Sequence, residues 1–222
     1  SGVFRHFLTV VHAGLLKYDG WDDSISDELD AGGLALRENL DLFLFLVKHT
    51  RPYYLKYAGS ALLSCKEVVM AAVKRDGWVL GLAARKLRAD RDVIIAAVSS
   101  DFIPDAESFR GPLEYASPEL LKDREVVMAA VKKNPWELKY AAPNLRADKD
   151  VVMAAVNEAS QMDGWRGDDE PFNYAAPEVK EDREVVMAVV KQNGGVLEYA
   201  SAELKADREI VLTAVRNHGQ AL

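Results

Sequence analysis

Residues 123–141 read DREVVMAAVKKNPWELKYA, and the run EVVMAAV within them decides the fold. Seven residues this apolar suit a buried strand or a buried helix, and the valines favour a strand. The flanks favour a helix. Asp123 is placed to accept from the free N–H groups of a first helical turn, and Glu125 puts negative charge where it complements the helix dipole. Met128 and the pair Ala129-Ala130 are good helix formers, and the run passes into Lys132-Lys133-Asn134 before Pro135 stops it. The spacing predicts a helix of about three turns. Because it is apolar nearly all round, it needs neighbours on more than one side. The doubled alanines leave room for them to come close.

The pattern recurs. Acid-Val-Val-Met-Ala-Ala-Val or a close variant starts at Glu67, Asp92, Glu125, Asp150, Glu184 and Glu209, the copy at Asp92 reading DVIIAAV. A looser copy, DLFLFLV, starts at Asp41, and RHFLTVV starts at Arg5. The spacings between successive starts are 36, 26, 25, 33, 25, 34 and 25, so the basic unit is roughly 25 residues long, with three longer junctions. Each unit carries a second signature, aromatic-Ala: Tyr57-Ala58, Tyr115-Ala116, Tyr140-Ala141, Tyr174-Ala175 and Tyr199-Ala200, with Leu82-Ala83 in the remaining copy. Two residues before each acidic start stands a capping acid, Asp90, Asp123, Asp148, Asp182 or Asp207, whereas Cys65 holds that place before Glu67.

Between the long helices, segments such as WELKYA (136–141) are long enough for one short helix, and Ala142-Pro143-Asn144 resembles a further helical start. The expected fold is all-α: an α-solenoid of about seven to eight helical repeats of ~25 residues, each one three-turn helix plus one short helix. Residues 1–38 read as a degenerate N-terminal capping repeat with an acidic insertion. They are expected to be continuous, as one domain, with the array at 39–222.

The stretches DREVVMAAVKKNPWELKYA and LKADREIVLTAV (204–215) closely resemble a tandem-repeat family known as domain of unknown function 4116. The resemblance runs from about Asn39 to Asn217, and the segment 1–38 departs from it. It implies an all-helical repeat protein of a kind found mostly as arrays in single-celled eukaryotes. It implies no reaction, no cofactor and no catalytic residue.

Composition narrows the function classes. The 222 residues include 28 basic and 35 acidic ones, a net charge of −7, which disfavours a general nucleic-acid binder. A lone cysteine excludes an intramolecular disulfide framework and is compatible with a reducing, intracellular compartment; an organelle reached by a cleaved peptide is one alternative. Apolar runs such as Leu42 to Val47 fall far short of the roughly 20 residues that span a bilayer, which leaves peripheral association with a membrane complex open. The start at Ser1-Gly2 lacks signal-peptide order and reads as a tag scar, a processed end or a fragment.

Chemistry-bearing motifs are sparse. His6, His12, His49 and His218 form no metal-ligand spacing, no Gly-rich phosphate loop or Gly-x-Ser-x-Gly elbow occurs, and Cys65 has no partnered histidine. No cofactor, metal or catalytic residue is expected. Cys65 reads as a poor cap, its role taken by Ser64, and Gly194-Gly195 as a helix C-cap. The aligned tyrosines read as core spacers with the hydroxyl at a boundary.

The insertions carry more information. They fall near 19–33, 99–112 and 158–171, in one loop class between a long helix and its Tyr-Ala segment, and part of the last fits an added helical turn after Val156. Trp21, Trp78, Trp136 and Trp165 each follow Asp-Gly or Asn-Pro in that class, and two insertions are acidic: Asp22, Asp23, Asp27, Glu28 and Asp30, then Asp168, Asp169 and Glu170. Insertions confined to one loop class emerge along one edge of a repeat array, often the binding edge. The candidate partner-binding edge is therefore Trp21, Trp78, Trp136, Trp165, Asp168, Asp169 and Glu170. For each tryptophan alone the plainer reading is a plug for its own repeat junction, and for the acids a solvated loop.

The function expected is a non-enzymatic helical-repeat scaffold or protein–protein interaction module. The alternatives are a structural subunit of a larger, organellar assembly and, in another class, an enzyme or ligand-binding domain whose site arises only in the tertiary fold.

Overall fold

The computed structural model describes residues 33–100, 111–162 and 170–217. The copy at Arg5, Trp21, the acids of the first insertion, Trp165, Asp168 and Asp169 lie outside the described residues. Within them every element is helical and no strand occurs. The long helices are α1 (Leu40–His49), α2 (Lys66–Val73), α3 (Arg91–Val98), α4 (Arg124–Lys133), α5 (Lys149–Ser160), α6 (Arg183–Val190) and α7 (Arg208–Asn217).

Five of these helices begin where a capping acid stands. Oδ1 of Asp90, Asp123, Asp148, Asp182 and Asp207 accepts from the backbone N–H groups two and three residues on; for Asp148 these are Asp150 N at 2.9 Å and Val151 N at 3.2 Å. Two otherwise orphaned donors per helix are thereby satisfied. Cys65 occupies the same position ahead of α2 without any side-chain cap. Ser64 does not replace it, because Ser64 is the C-cap of the preceding turn Ser60–Leu63.

The connection after each long helix differs from the expected single short helix. The WELKYA segment is a two-turn 3₁₀ helix, Pro135–Tyr140, with counterparts at Pro52–Tyr57, Gly77–Leu82, Pro112–Tyr115, Pro171–Tyr174 and Gly194–Tyr199. A separate short turn comes next, for example Arg85–Arg88, Pro143–Arg146, Pro177–Lys180 and Ala202–Lys205. The reason is local. Asn134 Oδ1 caps the start at Trp136 N (3.2 Å), and Ala141 and Ala142, at ψ 146° and 153°, break the helical path ahead of Pro143. Proline is not required for this: Ala83 and Ala84, at ψ 149° and 148°, end Gly77–Leu82 in the same way ahead of Arg85, and an extended pair so close behind the capped start keeps each segment short.

The chain divides into two compact units, Ser1–Phe102 and Ile103–Leu222. In the first, α1 packs on α2 and α2 on α3; in the second, α4, α5, α6 and α7 pack in sequence order. The 3₁₀ helices Pro52–Tyr57, Gly77–Leu82 and Pro135–Tyr140 each lie against their own long helix and the next one, and Gly194–Tyr199 lies against α6 and α7 in the same way. Consecutive stacking of this kind is how a helical repeat array buries its core. In α4 the buried side chains are Val126, Val127, Ala130 and Val131, two adjacent i, i+4 pairs, and α2, α3, α5 and α6 repeat the columns.

The glycine pair also differs from expectation. α6 ends at Val190, and Gly194 is the first residue of the 3₁₀ helix Gly194–Tyr199, capped by Asn193. Gly194 serves close approach: a Cβ there would lie 2.2 Å from the carbonyl oxygen of Ala214 in α7.

Candidate functional site

Three of the seven edge residues are described. Trp78, in the first unit, is half-buried, and Asp76 Oδ1 caps its N–H at 2.9 Å. Trp136, in the second unit, keeps only 6% of its surface, the burial of a side chain that plugs a repeat junction. Glu170 stands four residues before Tyr174, as Trp136 stands four before Tyr140, and their 3₁₀ helices pack on each other.

Glu170 is held rather than free. It is half-buried, and Asn193 Nδ2 of the following repeat donates to its Oε1 at 2.5 Å. Burial pushes its carboxyl above the usual range, against the pull of that bond. Its charge is thus partly spent inside the repeat junction, which leaves the acidic character of this insertion to Asp168 and Asp169.

The polar groups that join one repeat to the next form two ladders. In the first, the basic residue that opens a long helix reaches the capping acid and the first-turn acid of the following helix. Lys66 Nζ lies 2.8 Å from Asp90 and 2.9 Å from Asp92; Arg124 lies 2.8 Å from Asp148 and 2.8 Å from Asp150; Arg183 lies 2.9 Å from Asp207 and 2.5 Å from Glu209. Lys149 pairs with Asp182. The hydrogen bonds to these cations hold Asp90, Asp148, Asp182 and Asp207 below the ordinary carboxylate range. The second ladder is backbone only: Gly59 N to Arg37 O, Ala84 N to Leu63 O, Ala142 N to Leu121 O, Ala176 N to Arg146 O and Ser201 N to Lys180 O, at 2.7 to 3.1 Å.

Reading the acids alone misses the cations between them. Their signal is plain once sought, for every capping position from Cys65 onward is followed by Lys or Arg and then an acid: Cys65-Lys66-Glu67, Asp90-Arg91-Asp92, Asp123-Arg124-Glu125, Asp148-Lys149-Asp150, Asp182-Arg183-Glu184 and Asp207-Arg208-Glu209.

A second group that the motifs did not single out is Glu137, 1% exposed in a column that holds Val79 and Val196 elsewhere. Its Oε2 accepts from Leu113 N at 2.9 Å, and Oε1 has no hydrogen-bond partner among the described residues. The space it fills exists because residue 111 is glycine: a Cβ there would lie 1.2 Å from Oε1. Burial raises the Glu137 carboxyl to about 8, so it is mostly protonated at neutral pH. A neutral acid locked against a backbone N–H fastens the 3₁₀ helix Pro112–Tyr115 to the next repeat.

Among the described residues no group of three or more His, Cys, Asp and Glu is arranged to hold a metal ion, and no helix is long and apolar enough to cross a membrane. The five tyrosines of the Tyr-Ala signature are all half-buried, and Tyr140 donates its hydroxyl to Glu114 at 3.2 Å. That is a boundary position.

Neither the curated proteins nor the solved structures contain a match to this chain. A family model does match, five times in tandem windows, at residues 39–88, 65–121, 90–146, 123–180 and 182–222. Each of the first four windows takes in two long helices with their 3₁₀ helices, so the unit recognised is a pair of neighbouring repeats. With capped helices, cation ladder and Tyr-Ala turns recurring across these windows, the chain belongs to the tandem-repeat family described as Domain of unknown function (DUF4116).

Proposed function

We propose that the protein is a non-enzymatic helical-repeat module that binds or braces a partner protein along the edge from which its insertions emerge. One observation carries this reading. Both ladders cross the 163–169 insertion without a break: Lys149 still pairs with Asp182, and Ala176 N still donates to Arg146 O at 2.9 Å. The uninserted junction before it has the same two links, Arg124 to Asp148 and Ala142 N to Leu121 O. The two links therefore do not depend on the loop length at this junction, which leaves the added residues available for a task outside the framework. Exposed loops on a rigid scaffold are the usual place for such a task.

The test removes residues 161–169 and replaces Ala159 with Asn, which restores the spacing from the last helix valine to Tyr174 found between Val131 and Tyr140 and recreates the Asn134 cap. Wild type and variant are compared as baits in native extract, with partners identified by mass spectrometry and the fold checked by circular dichroism. A folded variant that loses the partners supports the reading. A folded variant that keeps every one overturns it.

A further inference from the structure

Helix α7 carries the columns of the others with one side uncovered among the described residues. In α4 and α5, Val127 with Val131 and Val152 with Val156 are buried. Their equivalents in α7, Val211 and Val215, are only half-buried, and Leu212, in the column of half-buried Met128 and Met153, is 44% exposed. Ile210 and Ala214, in the columns of Val126 and Ala130, are fully buried. The first pair of columns therefore faces the following repeat and the second the preceding one, and among the described residues only the preceding side of α7 is filled.

The cation ladder stops at the same place. Arg208 occupies the position of Lys66, Arg124, Lys149 and Arg183, each of which grips acids of the next helix. Arg208 is exposed, and among the described residues it has no ion-pair or hydrogen-bond partner.

We propose that this face of α7 docks a partner helix whose first turn carries an acid-x-acid pair, with Asp as the cap, ahead of a Val/Ala stripe. The charge pattern selects that occupant. Arg183, one repeat earlier, meets Asp207 with Nε and Glu209 with Nη2, so a guanidinium at this position takes two carboxylates spaced i, i+2 at a helix start. The apolar part of the face, Val211, Leu212 and Val215, matches the side of such a helix that Val151 and Ala155 present in α5. This surface is separate from the inserted edge, so loss of partners in the variant lacking residues 161–169 has no bearing on it.

The probe is a fluorescent peptide of residues 148–160, held helical by a lactam on its outer face, with helicity confirmed by circular dichroism. Saturable binding to the full chain by anisotropy is expected. Arg208→Glu and Leu212→Glu should each weaken it by about tenfold or more. A peptide carrying Asp148→Lys and Asp150→Lys should bind wild type poorly and recover on Arg208→Glu. Absence of binding by the helical peptide, or binding indifferent to both substitutions, overturns the proposal. Concentration-dependent self-association in sedimentation that Leu212→Glu abolishes would overturn the assigned occupant in favour of a second copy.

Discussion

Arg124 Nε donates to Oδ2 of Asp148 at 2.8 Å, while the other oxygen of that carboxylate, Oδ1, caps the start of α5. One side chain thus satisfies its own helix terminus and fastens it to the helix before. Asp148→Ala removes both roles and should cost about 1–2 kcal/mol in chemical denaturation, the upper part of the N-cap range. Cys65→Asp runs the opposite way. It supplies a missing cap to α2 and should be neutral or stabilising by up to about 1 kcal/mol, with no ladder bond to gain because Leu40 stands in the cation column of α1. Equal, negligible changes at both positions would contradict the capping assignment.

The cation ladder is exposed, so its contribution should be modest and sensitive to salt. Arg124→Gln is expected to lower the melting temperature at low ionic strength, and the difference from wild type should shrink in concentrated NaCl. A deficit independent of salt would mean that Arg124 acts through packing of its stem.

Glu137 makes an unusual pH profile. The folded carboxyl titrates at about 8, above its value of about 4.3 in an unfolded chain. Between those values the folded state binds the extra proton, and stability falls as pH rises, by up to about 1.4 kcal/mol per unit. Burial of Asp76 and Glu170 adds in the same direction. Asp90, Asp148, Asp182 and Asp207 act oppositely: their depressed folded values stabilise above about pH 4, and that contribution is lost as pH drops below it. Stability should therefore peak near pH 4–5. Glu137→Gln keeps an acceptor for Leu113 N and should flatten the decline, close to wild type near pH 4.5 and exceeding it by up to about 4 kcal/mol at pH 8. Parallel profiles for the two proteins would refute the buried, protonated acid.

Gly194→Ala places a methyl 2.2 Å from a backbone carbonyl of α7, which cannot swing aside as a side chain would. A loss of about 2–3 kcal/mol is expected, concentrated in the last repeat and read as faster amide exchange in α7. A neutral outcome would mean that Ala214 and Gly194 are not packed this closely.

The period, the capping acids and the register of the long helices were legible because each rests on short-range chemistry repeated along the chain. EVVMAAV at 125–131 is helical in the structure, and the added turn expected after Val156 appears as a twelve-residue α5 beside the eight-residue α2 and α3. The 3₁₀ form of Pro135–Tyr140 was not legible, since helix types share residue preferences and the extended pair Ala141-Ala142 that ends it consists of good helix formers. Glu137 was hidden for another reason. It sits in an apolar column, and only the fold brings Leu113 and Gly111 to it from the preceding repeat. Of the candidate edge, sequence located the loop class, whereas the split between buried Trp136, tethered Glu170 and the insertion proper needed the packing.

The claim on which the rest depends is that the framework is complete without its insertions. Thermal and denaturant unfolding of the variant lacking residues 161–169, with Ala159→Asn, tests it directly. Shortening a loop changes closure entropy by only about 0.6 kcal/mol per halving, so the variant should unfold cooperatively, with a midpoint within a few degrees of wild type and unchanged helicity. Loss of cooperativity, or a drop of several kcal/mol, would show that the 163–169 segment belongs to the core and that the inserted edge is structural.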